Sequence, residues 1–142
     1  MEIVGILEDK TVLFELKRAW IDSAPNVSGG HEEGGFILVD FFWDLSVIRW
    51  EKGTTNEIIL PPHKNCFVNG KDIVASFHTH PNTGKDFQQE PSLTDVRAVR
   101  DDFDLKGEYY LGEFVISEEN IYLIEPSGQV SVVGKTEEIF ER

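Results

Sequence analysis

The sequence predicts an α/β fold: one domain spanning residues 1–142, with a mixed central β-sheet flanked by helices. Three observations predict it. Apolar residues at helical spacing stand near the start, apolar and β-branched runs follow them, and a second helical stretch separates those runs from a closing set of short strands. A chain of 142 residues is long enough for one core and too short for two. Its 40% apolar and 11% aromatic content fits a packed interior, and there is no repeat or low-complexity tract.

Taken in order, "MEIVGILE" (1–8) is short and β-branched and reads as a first strand. In "DKTVLFELKRAWIDSA" (9–24), Val12, Leu13, Leu16, Ala19 and Trp20 share one helical face, and Pro25 closes the helix. The loop "PNVSGGHEEGG" (25–35) leads to "FILVDFFW" (36–43), an apolar strand. "LSVIRWEKG" (45–53) alternates well enough to be its partner, and "TNEIIL" (55–60) to be a third strand, before "PPHKN" breaks the pattern. "DIVASFHTH" (72–80) puts Ile73, Ala75 and Phe77 on one face and Val74, Ser76, His78 and His80 on the other. Apolar residues on both faces mark a central, doubly covered strand. The helix "SLTDVRAVRDDFD" (92–104) carries Leu93, Val96, Val99 and Phe103 on one side. "YYLGEFVIS", "NIYLIEP" and "QVSVVG" close the sheet.

Charge and cysteine usage limit the function classes. With 13 basic and 26 acidic residues the net charge is −13, which argues against nucleic acid and anionic membrane as partners. Cys66 is the only cysteine, so no intramolecular disulfide can form. The start lacks a basic region and a long apolar run, and no stretch reaches the roughly 18 apolar residues of a membrane span. A cytoplasmic, soluble protein is the expectation.

The chemistry concentrates in "SFHTHPNTGKDFQQEPSLTD" (76–95). Residues two apart on a strand point the same way, so His78 and His80 can converge on one ion, and Pro81 ends the strand beside them. Burying two imidazoles without partners costs several kcal/mol, so something must satisfy them. Asp95, in the first turn of the next helix, is a third candidate ligand. Two histidines, a carboxylate and an open fourth position form the usual catalytic zinc arrangement. Ser92-Leu93-Thr94-Asp95 is equally a capping box, with Ser92 as N-cap and Asp95 at N3, so two roles compete for one carboxylate. A base is also needed, and Glu32 and Glu33 stand before a buried strand, followed by two glycines.

Together, Glu32 to Phe36 ("EEGGF"), His78 to Pro81 ("HTHP") and Ser92 to Asp95 ("SLTD") resemble the JAMM motif of the MPN/JAB metalloproteases, zinc isopeptidases and peptidases best known as deubiquitinases. The order of elements is similar over most of the chain. The resemblance implies an MPN/JAB fold, related to that of the cytidine deaminases. It implies one Zn2+ per chain on His78, His80 and Asp95, with Glu32 as general base and Ser92 as oxyanion donor. Glu33 is the alternative register for the base. The implied substrate is a ubiquitin-like protein or its conjugate, cut after its C-terminal tail, which could lie along a sheet edge as an added strand. A short acidic chain of this kind resembles the stand-alone bacterial, archaeal or phage members. It departs from them in a longer gap between His80 and Asp95, within "NTGKDFQQEP" (82–91). Phe87 is the one apolar side chain of that loop and is expected to contact substrate.

Other readings fit less well. A cupin needs a glutamate where Gly84 and Lys85 stand, and a zinc nucleoside deaminase needs a C-x-x-C that is absent. Cys66 and His63 sit in a non-helical stretch, which favours an ordinary buried cysteine over a thiol nucleophile. A non-catalytic scaffold of the same fold and a small-molecule amidohydrolase on the same site are the functional alternatives.

Overall fold

The computed structural model describes residues 2–27, 29–84 and 88–142. They form a single α/β domain around an open seven-stranded sheet. The strands are β1 (Gly34–Val39), β2 (Leu45–Arg49), β3 (Phe67–Val68), β4 (Lys71–Thr79), β5 (Glu113–Ile116), β6 (Asn120–Ile124) and β7 (Val130–Lys135). Their order is β2-β1-β4-β5-β6-β7, with β3 folded onto the start of β4. Every pairing is antiparallel except β4 with β5, so the sheet is mixed. That one parallel pair requires a crossover, and helix α3 (Leu93–Arg100) lies within it.

Each face of the sheet has its own apolar layer. Helices α1 (Ile3–Glu8) and α2 (Lys10–Asp22), with the short C-terminal α4 (Thr136–Phe140), pack on one face through Leu16, Phe77, Phe114, Ile121 and Ile139. On the other face, α3 and the segment after β2 cover Phe36, Trp50, Val99, Leu105 and Val115. α2 starts where its sequence says it should: Asp9 accepts a hydrogen bond from the Val12 amide at 3.0 Å.

Several expectations need correction. Within "MEIVGILE", Ile3–Glu8 folds as α1, not as a strand. Ile6 and Leu7 are both buried in one layer, which consecutive residues manage on a helix but not on a strand, where they face opposite ways. The run "FILVDFFW" ends as a strand at Val39. Asp40 accepts from the amides of Phe42 and Asp44, folding the chain into a turn that leaves Phe41 and Phe42 exposed. "TNEIIL" forms no strand, because Thr54 and Glu57 close a tight turn through their backbones. α3 stops at Arg100. Leu93 and Phe103 are exposed, and Leu105, brought in by the 3-10 turn that Asp102 caps, is buried in place of Phe103.

The alternation along β4 also breaks. Ile37 pairs with Ala75 but Leu38 pairs with Ile73, so Val74 is an extra residue at a bulge. Beyond the bulge, Val74 joins the layer of Ala75 and Phe77, while Ile73 joins the opposite layer. Ser76, His78 and His80 keep the spacing that the sequence implies. Among the described residues, no helix is long and apolar enough to cross a membrane.

Candidate metal centre

The end of β4 is held on both sides. The Thr79 amide donates to the Glu33 carbonyl at 2.9 Å, and the His80 amide to the Ile116 carbonyl at 2.8 Å. Gly34 pairs with His78 across the ladder. A Cβ there would lie 2.5 Å from the Trp50 ring and 2.6 Å from the Phe77 carbonyl oxygen, so glycine is what lets these elements close around the site.

His78, His80 and Asp95 meet at this end. Nε2 of His78 is 3.3 Å from Nε2 of His80. His80 Nε2 is 3.1 Å from Asp95 Oδ2, and His78 Nε2 is 3.4 Å from Asp95 Oδ1. The other ring nitrogens are already engaged. Nδ1 of His78 is 2.7 Å from the Glu113 carboxylate, and Nδ1 of His80 is 3.1 Å from the Gln89 carbonyl. A carbonyl oxygen only accepts, so Nδ1 of His80 carries its hydrogen, and the same holds for His78 facing a carboxylate. When both rings are neutral, the form in which histidine binds a metal, each Nε2 presents a lone pair toward the other and toward a carboxylate. Such a set needs a cation at its centre. Donors arranged tetrahedrally around an ion at about 2.0–2.2 Å stand roughly 3.3–3.5 Å apart, close to the separations here. The three residues form a group that could hold a metal ion.

The electrostatics agree. Burial alone would lower the His78 pKa, but the carboxylates of Glu113 and Asp95 outweigh it and hold it well above the usual imidazole value. Burial alone would raise Asp95, but hydrogen bonds from His78 and His80 hold it well below the usual carboxylate range. Without a metal, a proton takes the place of the cation.

Asp95 serves both roles that the sequence set against each other. The Ser92 amide donates to Asp95 Oδ2 at 2.8 Å, and the Asp95 amide donates to Ser92 Oγ at 3.0 Å, a complete capping box. The cap uses Oδ2 and leaves Oδ1 facing His78, so the box aims the carboxylate instead of consuming it.

The adjacent glutamates part company. Glu33 turns away from the centre and is held by Arg49 and His31. Glu32, only 6% exposed, lines two cavities that flank the triad. One, of about 220 Å³, includes His80, Ser92, Asp95, Thr55, Asn56 and Asn82. The other, of about 160 Å³, includes His78, Asp95, Glu113, Trp50 and Leu105. Burial, helped by the negative charges of Asp95 and Glu113 and opposed by His78, pushes the Glu32 carboxyl up to about 7. Glu32, His78, His80, Ser92 and Asp95 thus surround one place, which Glu33 does not join.

Of the loop between the ligands, the described part is fastened. The Gln89 side chain donates to the carbonyls of Asn82 and Gly84 while the main-chain carbonyl of Gln89 accepts from His80, and Thr83 is buried. Phe87 lies outside the described residues. Glu113 was not singled out from the sequence, because in "GEFVIS" it reads as an ordinary strand-initiating acid. Only the parallel pairing of His78 with Val115 brings it behind the ring. His63 and Cys66 do not form a dyad. His63 contacts the Pro61 carbonyl and Asp102, while the Cys66 thiol, pushed up by burial, reaches the Ile73 carbonyl.

Compared with protein-family models, curated proteins and solved structures, the chain matches none.

Proposed function

We propose that this chain is a zinc-dependent hydrolase of the JAMM type, cleaving an amide or isopeptide bond after the C-terminal tail of a ubiquitin-like protein. One observation carries the reading. A buried carboxyl, Glu32, shares one cavity with His80, Asp95 and Ser92 and a second with His78 and Asp95, the three residues of the converging His-His-Asp set. The donor set, two imidazole nitrogens and one carboxylate, suits zinc with a position left open for chemistry. Zinc supplies Lewis acidity there, lowering the pKa of water and polarising a carbonyl.

The protein groups do the rest. Glu32 accepts a proton from the attacking water and delivers it to the leaving nitrogen, so water adds to the carbonyl carbon as the C–N bond breaks. Ser92, on the rim of the same cavity, donates to the carbonyl oxygen as it gains charge. Asp95, fixed by its cap, stays ionised. Thr55 and Asn56, in the turn after β2, border the cavity in which the scissile bond would sit.

The test is hydrolysis by the zinc-loaded protein of three substrate sets: ubiquitin-like proteins carrying a reporter amide on their tail, minimal peptide amides, and small-molecule amides. Cleavage of the first set, slowed about 10²–10⁴-fold by Glu32→Gln with zinc retained, is the expected result. No cleavage of any set overturns the hydrolase reading. Cleavage of only the third makes the protein a small-molecule amidohydrolase.

A further inference from the structure

Behind His78 runs a line of hydrogen bonds with only one consistent direction. His78 Nδ1 is 2.7 Å from Glu113 Oε2, and Ser76 Oγ is 2.8 Å from Glu113 Oε1. Ser76 Oγ is also 2.7 Å from the Tyr110 hydroxyl. Glu113 and Tyr110 are 4% and 5% exposed and Ser76 is fully buried, so solvent completes none of these contacts. An ionised carboxylate only accepts. Ser76 therefore spends its single hydrogen on Glu113, and Tyr110 donates to Ser76. Every donor in the line points toward Glu113.

We propose that Glu113 is a positioning residue for the metal centre, fixing the tautomer and tilt of His78 while Ser76 and Tyr110 fix Glu113. The inference rests on the reading of His78, His80 and Asp95 as metal ligands and extends it to groups that touch no ion. Its chemistry follows from the two ring nitrogens. A carboxylate on Nδ1–H keeps that hydrogen in place, leaves Nε2 unprotonated toward the centre, and increases its basicity as a donor. The other histidine lacks this support, since His80 Nδ1 meets only the Gln89 carbonyl at 3.1 Å. The two ligands are thus unequal, with the buried one backed by charge.

The variants separate charge from shape. In Glu113→Gln the amide oxygen still accepts from His78, and the amide nitrogen meets Ser76, which then donates outward to Tyr110. The line survives reversed, without its charge. Ser76→Ala cuts the line but leaves the charge in place.

The experiment measures zinc affinity of the metal-free protein by competition with a chromophoric chelator, together with the visible spectrum of the cobalt-loaded protein. Glu113→Gln is expected to bind zinc about 10–100-fold more weakly, with a shifted cobalt spectrum. Ser76→Ala is expected to weaken zinc several-fold, and Tyr110→Phe less. If Glu113→Gln binds zinc within twofold of the wild type with the same cobalt spectrum, the positioning role is wrong even though the metal centre stands. If Glu113→Gln does not fold, Ser76→Ala decides, and unchanged zinc affinity there overturns the proposal. A wild type that binds neither zinc nor cobalt removes the metal reading and this inference with it.

Discussion

Two of the places where histidine meets carboxylate, His63 with Asp102 and the pair His78 and His80 with Asp95, behave oppositely. At His63, both ring nitrogens face acceptors: Nδ1 the Pro61 carbonyl and Nε2 Asp102, each at 2.7 Å. That ring is satisfied by carrying two hydrogens, and no lone pair remains. At His78 and His80 each Nδ1 is taken, and the Nε2 atoms converge on each other and on Asp95. The same residue types give a structural clip in one place and a group that could hold a metal ion in the other. The difference lies in convergence, since two rings and a carboxylate meet at one point there, whereas at His63 a single ring bridges two separate acceptors.

The sharpest way to break this contrast is to remove one ring from each place. Zinc content by elemental analysis should be about one per chain in the wild type and near zero in His80→Ala, whereas His63→Ala should keep it. Metal loss in His63→Ala with the fold intact would erase the distinction.

Acid should drive the two places apart. Metal binding requires unprotonated Nε2, and Glu113 and Asp95 hold the His78 pKa of the metal-free protein well above the usual imidazole value, so zinc affinity should fall about tenfold for each pH unit below that raised value, read by chelator competition. His63 runs the other way. Burial alone would lower its pKa, but the Pro61 carbonyl and Asp102 outweigh it, with Asp104 adding to them, and raise it above 6.5. A raised histidine pKa stabilises the fold fully below about 6.5, and that stability is lost as pH rises through the folded value. Asp102→Asn should therefore cost on the order of 1–3 kcal/mol near pH 6 and less at pH 8, as seen in urea melts of the metal-free protein. A cost that grows with pH would contradict the clip.

The smallest expected effect separates the paired glutamates. Glu33→Gln should leave zinc content unchanged and hydrolysis within a few-fold of the wild type, since Glu33 is turned to Arg49 and His31. Its cost should appear in melting temperature. A large rate loss with full stability would move the base to Glu33.

Much of this site was legible because its signals are local. The His-x-His spacing fixes two side chains on one face of a strand. The Ser92–Asp95 spacing fixes a helix start, and the cap that it builds is the device that points the third ligand. Glu113 was not legible, because its partner is 35 residues away and the two meet only through a parallel pairing. α1 and the segment 55–60 were misread for a related reason. β-branched content favours a strand only where a neighbouring strand is available to pair, and neither segment has one in this sheet. The bulge at Val74 hid in a continuous apolar run, where a one-residue slip exchanges one hydrophobic layer for another and leaves no mark on the sequence.

The segment after β2 is tied to Glu32 by main chain. The Glu32 amide donates to the Thr54 carbonyl at 2.7 Å, and the Gly53 amide donates to the Glu32 carbonyl at 2.8 Å. The same segment borders both cavities through Asn56. A change in the backbone of this segment is therefore passed to Glu32 through two hydrogen bonds. Gly53 donates one of them, and a methyl group there would fall 2.1 Å from the Glu57 carbonyl oxygen. Under the proposed function, a bulkier residue there would displace Glu32 without touching His78, His80 or Asp95, so zinc content should persist while hydrolysis falls.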